Sequence, residues 1–313
     1  MSKRVRAHTN IALIKYWGKK DKDLRLPYNS SLSLTLDGFY TETSVTYDDS
    51  LDHDVFYLDG VYQDQEEAQR VFSFMRFLRS RYDLPQKAKI ESWNHVPMAA
   101  GLASSASAFA ALAKAATLDL DLDDTTLTRL ARMGSGSASR SIYGGFVKWE
   151  QGDDDQTSIA HPIDMNPWDD IRMIVCVLNS KQKRFSSSMA MDKTVEESVY
   201  YEGWVRQSER DLVNLENALK AHDIHTVGKI SQENALRMHA SLMAVGLWYF
   251  EPETLDIMNR IRDLQDSIPV YFTMDAGPNV KLITTQEYVD DVLKVLNGIE
   301  VHISKPGPGA YVV

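Results

Sequence analysis

The chain reads as a mixture of strands and helices folded as two domains or one large one, and three observations predict it. Its 313 residues give room for more than one core. Leu32, Leu34 and Leu36 alternate with Ser33 and Thr35, the period of a half-buried strand. After Pro97, an alanine-rich run carries Leu102, Phe109 and Leu112 at helical intervals. The composition, 43% hydrophobic and 25% charged, is that of a soluble globular protein. A lone cysteine, Cys176, excludes a disulfide framework and suits a reducing cytoplasm.

No signal peptide is expected in residues 1–30, which lack a long apolar core. The window Met98–Leu118 is broken by serines and Lys114, so no membrane span is expected there. Net charge is −10, from 34 basic and 44 acidic residues, which argues against nonspecific nucleic-acid binding. An anionic ligand must then be met by a local cluster of cations.

Taken in order, Val5, Ala7, Ile11 and Leu13 mark a strand ending in a turn at Gly18–Asp21. Lys15 interrupts that apolar stretch and must either snorkel to solvent or meet an anion. Strands follow at 27–37, Thr41–Tyr47 and Val55–Leu58, the last closing on an Asp59-Gly60 hairpin turn. Gln65–Tyr82 is a helix whose arginines, Arg70, Arg76, Arg79 and Arg81, read as a solvated face. Lys87–Trp93 is a strand and Asp124–Met133 a helix. A strand spans Tyr143–Glu150, a solvated acidic turn Gly152–Gln156, and an apolar strand Ile171–Leu178 that closes the first domain. Helices run to about Gly246, with Trp204, Leu212, Leu215 and Leu219 on the core face and Met238 and Met243 as core filler. Strand, turn and strand occupy Pro269–Thr284, then a helix Gln286–Leu296, then a final strand pair around Lys305–Gly309.

Four segments carry candidate chemistry. Pro97–Ser107 is a small-residue loop feeding a helix that Ser104 or Ser105 caps; it is either a phosphate cradle or a capped core helix. Gly134-Ser-Gly-Ser-Ala-Ser-Arg140 is a second small-residue loop, with hydroxyls and one guanidinium suited to gripping a carboxylate. Asn179–Ser188 puts three basic residues before three serines, as solvated linker or as a phosphate wrap. Asp275 ends an apolar strand before a Gly-Pro turn, which turn-making alone would explain. Neither a dinucleotide fingerprint nor a P-loop is present, and the acidic run from Asp119 fails as a calcium loop because Asp124 and Leu130 occupy its glycine and glutamate positions.

Together, Asn10-Ile-Ala-Leu-Ile-Lys15-Tyr-Trp-Gly-Lys19, Pro97–Ser107, Gly134–Arg140 and Met274-Asp-Ala-Gly-Pro-Asn279 resemble the mevalonate diphosphate decarboxylases, within the GHMP small-molecule kinase superfamily. The resemblance spans nearly the whole chain. It implies an α+β protein with a ribosomal-S5-domain-2-like domain at 1–180 and a ferredoxin-like domain at 181–313. It also implies ATP-dependent conversion of mevalonate 5-diphosphate to isopentenyl diphosphate, with Mg²⁺, in a cytoplasmic homodimer that binds neither nucleic acid nor membrane.

By the same resemblance Asp275 orients the 3-hydroxyl and takes its proton, Lys15 stabilises anionic charge beside it, and Arg140 holds the substrate carboxylate. Tyr16, Trp17, Gly18, Lys19, Arg70, Ser135, Gly136, Ser137, Ala138, Ser139, Ser186, Ser187 and Ser188 are implied to line the substrate site. Asn94, Gly101, Leu102, Ala103, Ser104, Ser105 and Ser107 are implied to hold the nucleotide; the resemblance leaves the metal ligands unassigned. Ala190-Met191 stands where the family usually has Gly-Met. A kinase that does not decarboxylate is disfavoured by the presence of Asp275, Lys15 and Arg140 together. The basic groups of 15–19 and 184–188 favour a diphosphate over a monophosphate. A non-catalytic nucleotide-binding regulator would have a decayed base or cradle.

Overall fold

The computed structural model describes residues 3–95, 104–178 and 185–313. The first part of the chain runs β1 (Val5–Ile14), β2 (Lys19–Asp21), β3 (Leu26–Pro27), β4 (Ser31–Tyr47), β5 (Val55–Leu58), β6 (Val61–Gln63), α1 (Gln69–Arg81), β7 (Ala88–His95), α2 (Ser104–Ala116), α3 (Asp124–Gly134), β8 (Phe146–Trp149) and β9 (Ala160–Pro162). The second runs β10 (Ile171–Val177), α4 (Ser187–Glu197), α5 (Tyr201–Lys220), α6 (Ile224–Met243), α7 (Pro252–Leu264), β11 (Tyr271–Met274), β12 (Val280–Thr285), α8 (Val289–Val295), β13 (Glu300–Ser304) and β14 (Tyr311–Val312). The architecture is α+β with two domains, each built on its own sheet.

The first sheet has the order β14-β1-β4-β7-β5-β6, with β8 on the early half of β4 and β9 beyond it; the second has the order β11-β12-β10-β13. The sequence suggests two strands across residues 27–47, but β4 is continuous and pairs with β1 along most of its length. Its alternation does not mark a solvent face either. Ser31, Ser33 and Thr35 are as buried as Leu32, Leu34 and Leu36. The reason is that both faces of β1 and β4 are covered. Phe109, Leu112, Leu127 and Leu130 pack with Val5 and Ala7 in one core. Leu212, Leu215 and Leu219 of α5 pack with Ile11, Leu13, Leu32 and Leu34 in another. The domains therefore share a hydrophobic core, and polar residues sealed within it must be hydrogen-bonded.

Several expectations change for the same reason, that tertiary partners override local pattern. Ile171–Val177 does not close the first domain but pairs with β12 and β13 inside the second sheet. The expected final strand pair does not form. β13 joins the second sheet, and β14 returns to the edge of the first, against β1. Between them the 305–310 segment is stitched to the first domain, with Gly307 N–H donating to Thr35 O at 2.8 Å and Ala310 N–H to Ile142 O at 3.0 Å. Asp155, expected in a solvated turn, is a half-buried hub for Arg81, Arg129 and Arg132. Arg79, expected on a solvated face, forms a two-pronged pair with Asp54 at 2.7 and 2.8 Å. Met238 is core, but Met243 is exposed. Residues 136–142, read as loop, form a 3₁₀ helix. Among the described residues no helix is long and apolar enough to cross a membrane.

Candidate active site

Lys15 follows the last residue of β1, and its surroundings decide between the two readings of a lysine in an apolar stretch. The side chain is 2% exposed, so it does not snorkel. Its Nζ donates to Ala12 O at 2.8 Å and to Asp275 Oδ1 at 2.7 Å. The backbone is pinned on both sides: Lys15 N–H donates to Asn234 Oδ1 on α6 at 2.9 Å, and Asn29 Nδ2 donates to Lys15 O at 2.9 Å. Asn234 is held in turn by Ser208 and Asp211 of α5. Asp275 caps the end of β11, where the strand's hydrogen bonding stops and its carboxylate turns toward β1. A second ammonium, Lys281 of β12, reaches Asp275 Oδ2 at 3.4 Å and is itself fully buried.

One carboxylate thus sits between two sealed ammoniums. Burial alone would raise the Asp275 carboxyl, but Lys15 and Lys281 hold it well below the usual carboxylate range. Burial pushes the Lys15 ammonium down, and Asp275 opposes that. His239 of α6, buried against Phe250, is pushed down to about 3, chiefly by burial and then by Lys15, so it stays neutral and adds no charge to the cluster.

Arg140 comes from the 3₁₀ helix. It is 2% exposed and is held by neutral groups: Nε donates to Ser33 Oγ at 3.0 Å and Asn10 Oδ1 at 3.3 Å, and Nη1 donates to Ser31 Oγ. Asn10 is fixed by Ser137 O at 3.0 Å and Ser141 Oγ at 2.8 Å. Burial brings the guanidinium down to about 10, with Asp275 opposing, so it keeps its charge near neutrality. Among the described residues no carboxylate lies within ion-pair distance of it. A buried cation cradled only by dipoles is an open seat for an anion.

Lys15, Asp275 and Arg140 line one cleft with Asn10, Tyr16, Trp17, Ser105, Ser135, Ser137, Ser187, Met191, Met238 and Ala276. The cleft continues outward past Tyr16, Ser105, Ser135, Ser187 and Met191 to a stretch ringed by Lys19, Lys22, Arg25, Arg70, Gly136, Ser186 and Ser188. Ser186 caps α4 by accepting from Met189 N–H, and Lys19 Nζ donates to Ser188 Oγ at 3.0 Å. Close approach requires glycine twice. A Cβ at Gly136 would lie 2.8 Å from the Tyr16 ring. Gly18 has φ of +95°, and a Cβ there would lie 2.1 Å from the Tyr201 hydroxyl that donates to Trp17 O.

Not every expected residue meets the cleft. Gly18 shapes the turn behind Trp17. Ala138 is sealed in the first domain's core, and Ser139 Oγ is spent on Gly136 O at 2.8 Å. Gly101, Leu102 and Ala103 lie outside the described residues, as do the basic residues of 181–184. Of the residues expected to hold the nucleotide, Ser105 Oγ stands 3.4 Å from Ser135 Oγ, so the start of α2 abuts the segment 134–140. Ser107 is buried and meets Thr41 Oγ1 at 2.8 Å, which donates to Asn94 Oδ1 at 3.0 Å. This hydroxyl chain ties Asn94 to α2. Among the described residues no cluster of three carboxylate, histidine or cysteine groups could hold a metal by itself.

The sequence reading missed Lys281, Ser31, Ser33, Asn234, Lys22 and Arg25. Lys281 offered a faint signal, as a charge inside the apolar run Val280–Ile283.

Comparison with known proteins agrees with this geometry. The family model for the diphosphomevalonate decarboxylase-like N-terminal domain matches residues 7–160, and that for the mevalonate 5-diphosphate decarboxylase C-terminal domain matches residues 173–305. A diphosphomevalonate decarboxylase of Ganoderma lucidum is 33% identical, over 93% of this chain and 80% of its own. A solved complex of MDDEF with MVAPP, AMPPCP and magnesium is 44% identical, with a TM-score of 0.95, covering 100% of this chain and 99% of that one. The mevalonate diphosphate decarboxylase of Staphylococcus aureus is 42% identical, with a TM-score of 0.96, covering 100% of this chain and 98% of that one. With two family models matched in succession over most of its length and relatives similar along nearly the whole chain, the chain belongs to the mevalonate 5-diphosphate decarboxylase family.

Proposed function

We propose that this protein is an ATP-dependent decarboxylase that converts mevalonate 5-diphosphate to isopentenyl diphosphate, CO₂, ADP and phosphate. The observation that carries the residue roles is the Asp275 carboxylate between Lys15 and Lys281, facing the same cleft as a buried Arg140 that has no carboxylate within ion-pair distance among the described residues. Loss of CO₂ from a β-hydroxy acid needs a better leaving group than hydroxide on the tertiary carbon. ATP supplies the phosphoryl group that makes the 3-oxygen such a leaving group, and Mg²⁺ neutralises charge on it.

Asp275 accepts a hydrogen bond from the 3-hydroxyl and so aims its oxygen at phosphorus. A carboxylate held so far below its usual range is a poor base toward a free alcohol. It takes the proton only late, when the oxygen has bonded to phosphorus and become acidic, as a loose phosphoryl-transfer transition state allows. Lys15 and Lys281 keep Asp275 ionised and in place, and Lys15 faces the charge that develops beside it. Arg140 receives the substrate carboxylate. Its fixed fork keeps the C–C bond aligned with the breaking C–O bond, so the C–C electron pair becomes the double bond while the C–O pair leaves with phosphate. Tyr16, Ser135, Ser137 and Ser187 line the middle of the cleft, Lys19, Arg70, Gly136, Ser186 and Ser188 its diphosphate end, and Asn94, Ser104, Ser105 and Ser107 the nucleotide side.

Supplying mevalonate 5-diphosphate, ATP and Mg²⁺ and measuring CO₂ alongside ADP tests the reading. Equal release of both is expected; ADP without CO₂ would make the protein a kinase, and neither product would defeat the assignment. The proposal also includes a cytoplasmic homodimer, for which light scattering and cell fractionation are the tests.

A further inference from the structure

We propose that Arg25, together with Arg70, seats the terminal phosphate of the substrate and makes this enzyme distinguish the diphosphate from the monophosphate. The inference rests on the decarboxylase reading and extends it to a residue that the motifs do not contain.

Arg25 closes the short β2–β3 hairpin with φ of +53°, a left-handed conformation that residues with a Cβ rarely adopt. The hairpin sends its guanidinium across to the end of α3, where Nη1 donates to Gly134 O at 2.8 Å. Arg70, from the first turn of α1, reaches the same oxygen through Nη2 at 3.3 Å, with its guanidinium carbon 5.0 Å from the Phe109 ring centre. Two cations thus converge on one neutral carbonyl. Among the described residues neither has a carboxylate within ion-pair distance, whereas nearby Arg79, Arg81, Arg129 and Arg132 each do. The pair is electrostatically incomplete: burial lowers both guanidiniums, and Arg25 lowers Arg70 further.

Position makes the missing anion specific. Both arginines line the outer stretch of the cleft, beyond Tyr16 and Ser135, at the end away from Arg140 and Asp275. A substrate with its carboxylate on Arg140 extends its phosphate chain in that direction, and a second phosphoryl group lengthens it there. The neighbouring lysines are less available, because Lys22 lies 3.3 Å and Lys19 4.0 Å from Asp192. Two guanidinium forks suit a terminal phosphate, which offers three oxygens and up to two charges. A monophosphate presents no group beyond the first.

The test compares wild type with R25Q and R25K, using mevalonate 5-diphosphate as substrate and mevalonate 5-phosphate as a competing ligand, with ATP and Mg²⁺ saturating. R25Q is expected to raise KM for the diphosphate about tenfold or more while kcat stays within about twofold, the pattern of lost uniform binding. The inhibition constant of the monophosphate should stay within about twofold, and R25K should restore part of the diphosphate KM. Melting temperatures close to wild type would exclude a folding defect. An unchanged KM, or equal losses for the two ligands, would overturn the proposal. Calorimetry with inorganic pyrophosphate and inorganic phosphate supplies a second readout. Pyrophosphate should bind wild type more tightly than R25Q, while phosphate should not discriminate between them. If the wild type released no CO₂, the decarboxylase reading would fall. The pyrophosphate titration would then decide the role of Arg25 alone.

Discussion

The two ends of the cleft are charged in opposite styles. At the reacting end every cation is sealed and assigned before any ligand arrives: Lys15 and Lys281 to Asp275, Arg140 to Ser31, Ser33 and Asn10. At the outer end Lys19, Lys22, Arg25 and Arg70 lie nearer solvent, and the two arginines share a single backbone oxygen. Chemistry depends on placement to a fraction of an ångström, which buried hydrogen bonds enforce. Capture depends on net positive potential within a chain of charge −10, and part-exposed side chains provide that. Substitutions at the reacting end should therefore appear in kcat and those at the outer end in KM.

The strongest challenge to that division is Asp275→Asn. It should cut kcat by about 10²–10⁴-fold while an ATP analogue binds as before, and an unchanged rate would remove the proton-accepting role. Arg140→Lys comes next. An ammonium cannot reproduce a fork held by three neutral groups, so kcat should fall by about 10²-fold, and near-normal turnover would take the carboxylate from Arg140. Lys281→Met should cost about tenfold and move the pH profile. In the folded chain the Asp275 carboxyl lies below its ordinary value, so its ionised form adds stability above about pH 4 that is lost as pH falls toward the folded value. With one ammonium gone the folded value rises, so that loss should become smaller and finish at higher pH, and the acid limb of kcat/KM should move to higher pH. An unmoved limb would show that Lys15 alone sets Asp275. The Arg25 substitutions are the mildest probe, confined to KM.

Much of this organisation was legible in the residues, and what was hidden had a common physical cause. Lys15 inside Ile11–Tyr16 stood out as a lone charge in an apolar stretch, but that stretch left snorkelling and an anionic partner both open. Ser31 and Ser33 announced nothing. On an alternating strand their positions read as the wet face, but the 3₁₀ helix 136–142 covers that face and brings Arg140 onto it, while α5 packs on the leucines opposite. Lys281 was concealed likewise, since a lysine between Val280 and Leu282 is an ordinary edge-strand pattern until the Asp275 turn folds over it. Asp155 and Arg79 looked like surface charges because their partners are distant in sequence, 26 residues for Arg129 and 25 for Asp54. Local periodicity reports which elements form. It does not report which faces elements distant in sequence later cover.

The return of β14 to the first sheet bears on how the protein is made. Val5 and Arg6 pair with residues 311 and 312, so one border of the amino-terminal sheet leaves the ribosome only after the entire second domain. Synthesis proceeds at roughly 5–20 residues per second, which leaves the β1 border without its neighbour for many seconds. An open strand border is a template for mispairing with other nascent chains. Holdase chaperones that shield it during translation should therefore raise the yield of native protein, and appendages that delay docking of the 305–312 segment should lower it.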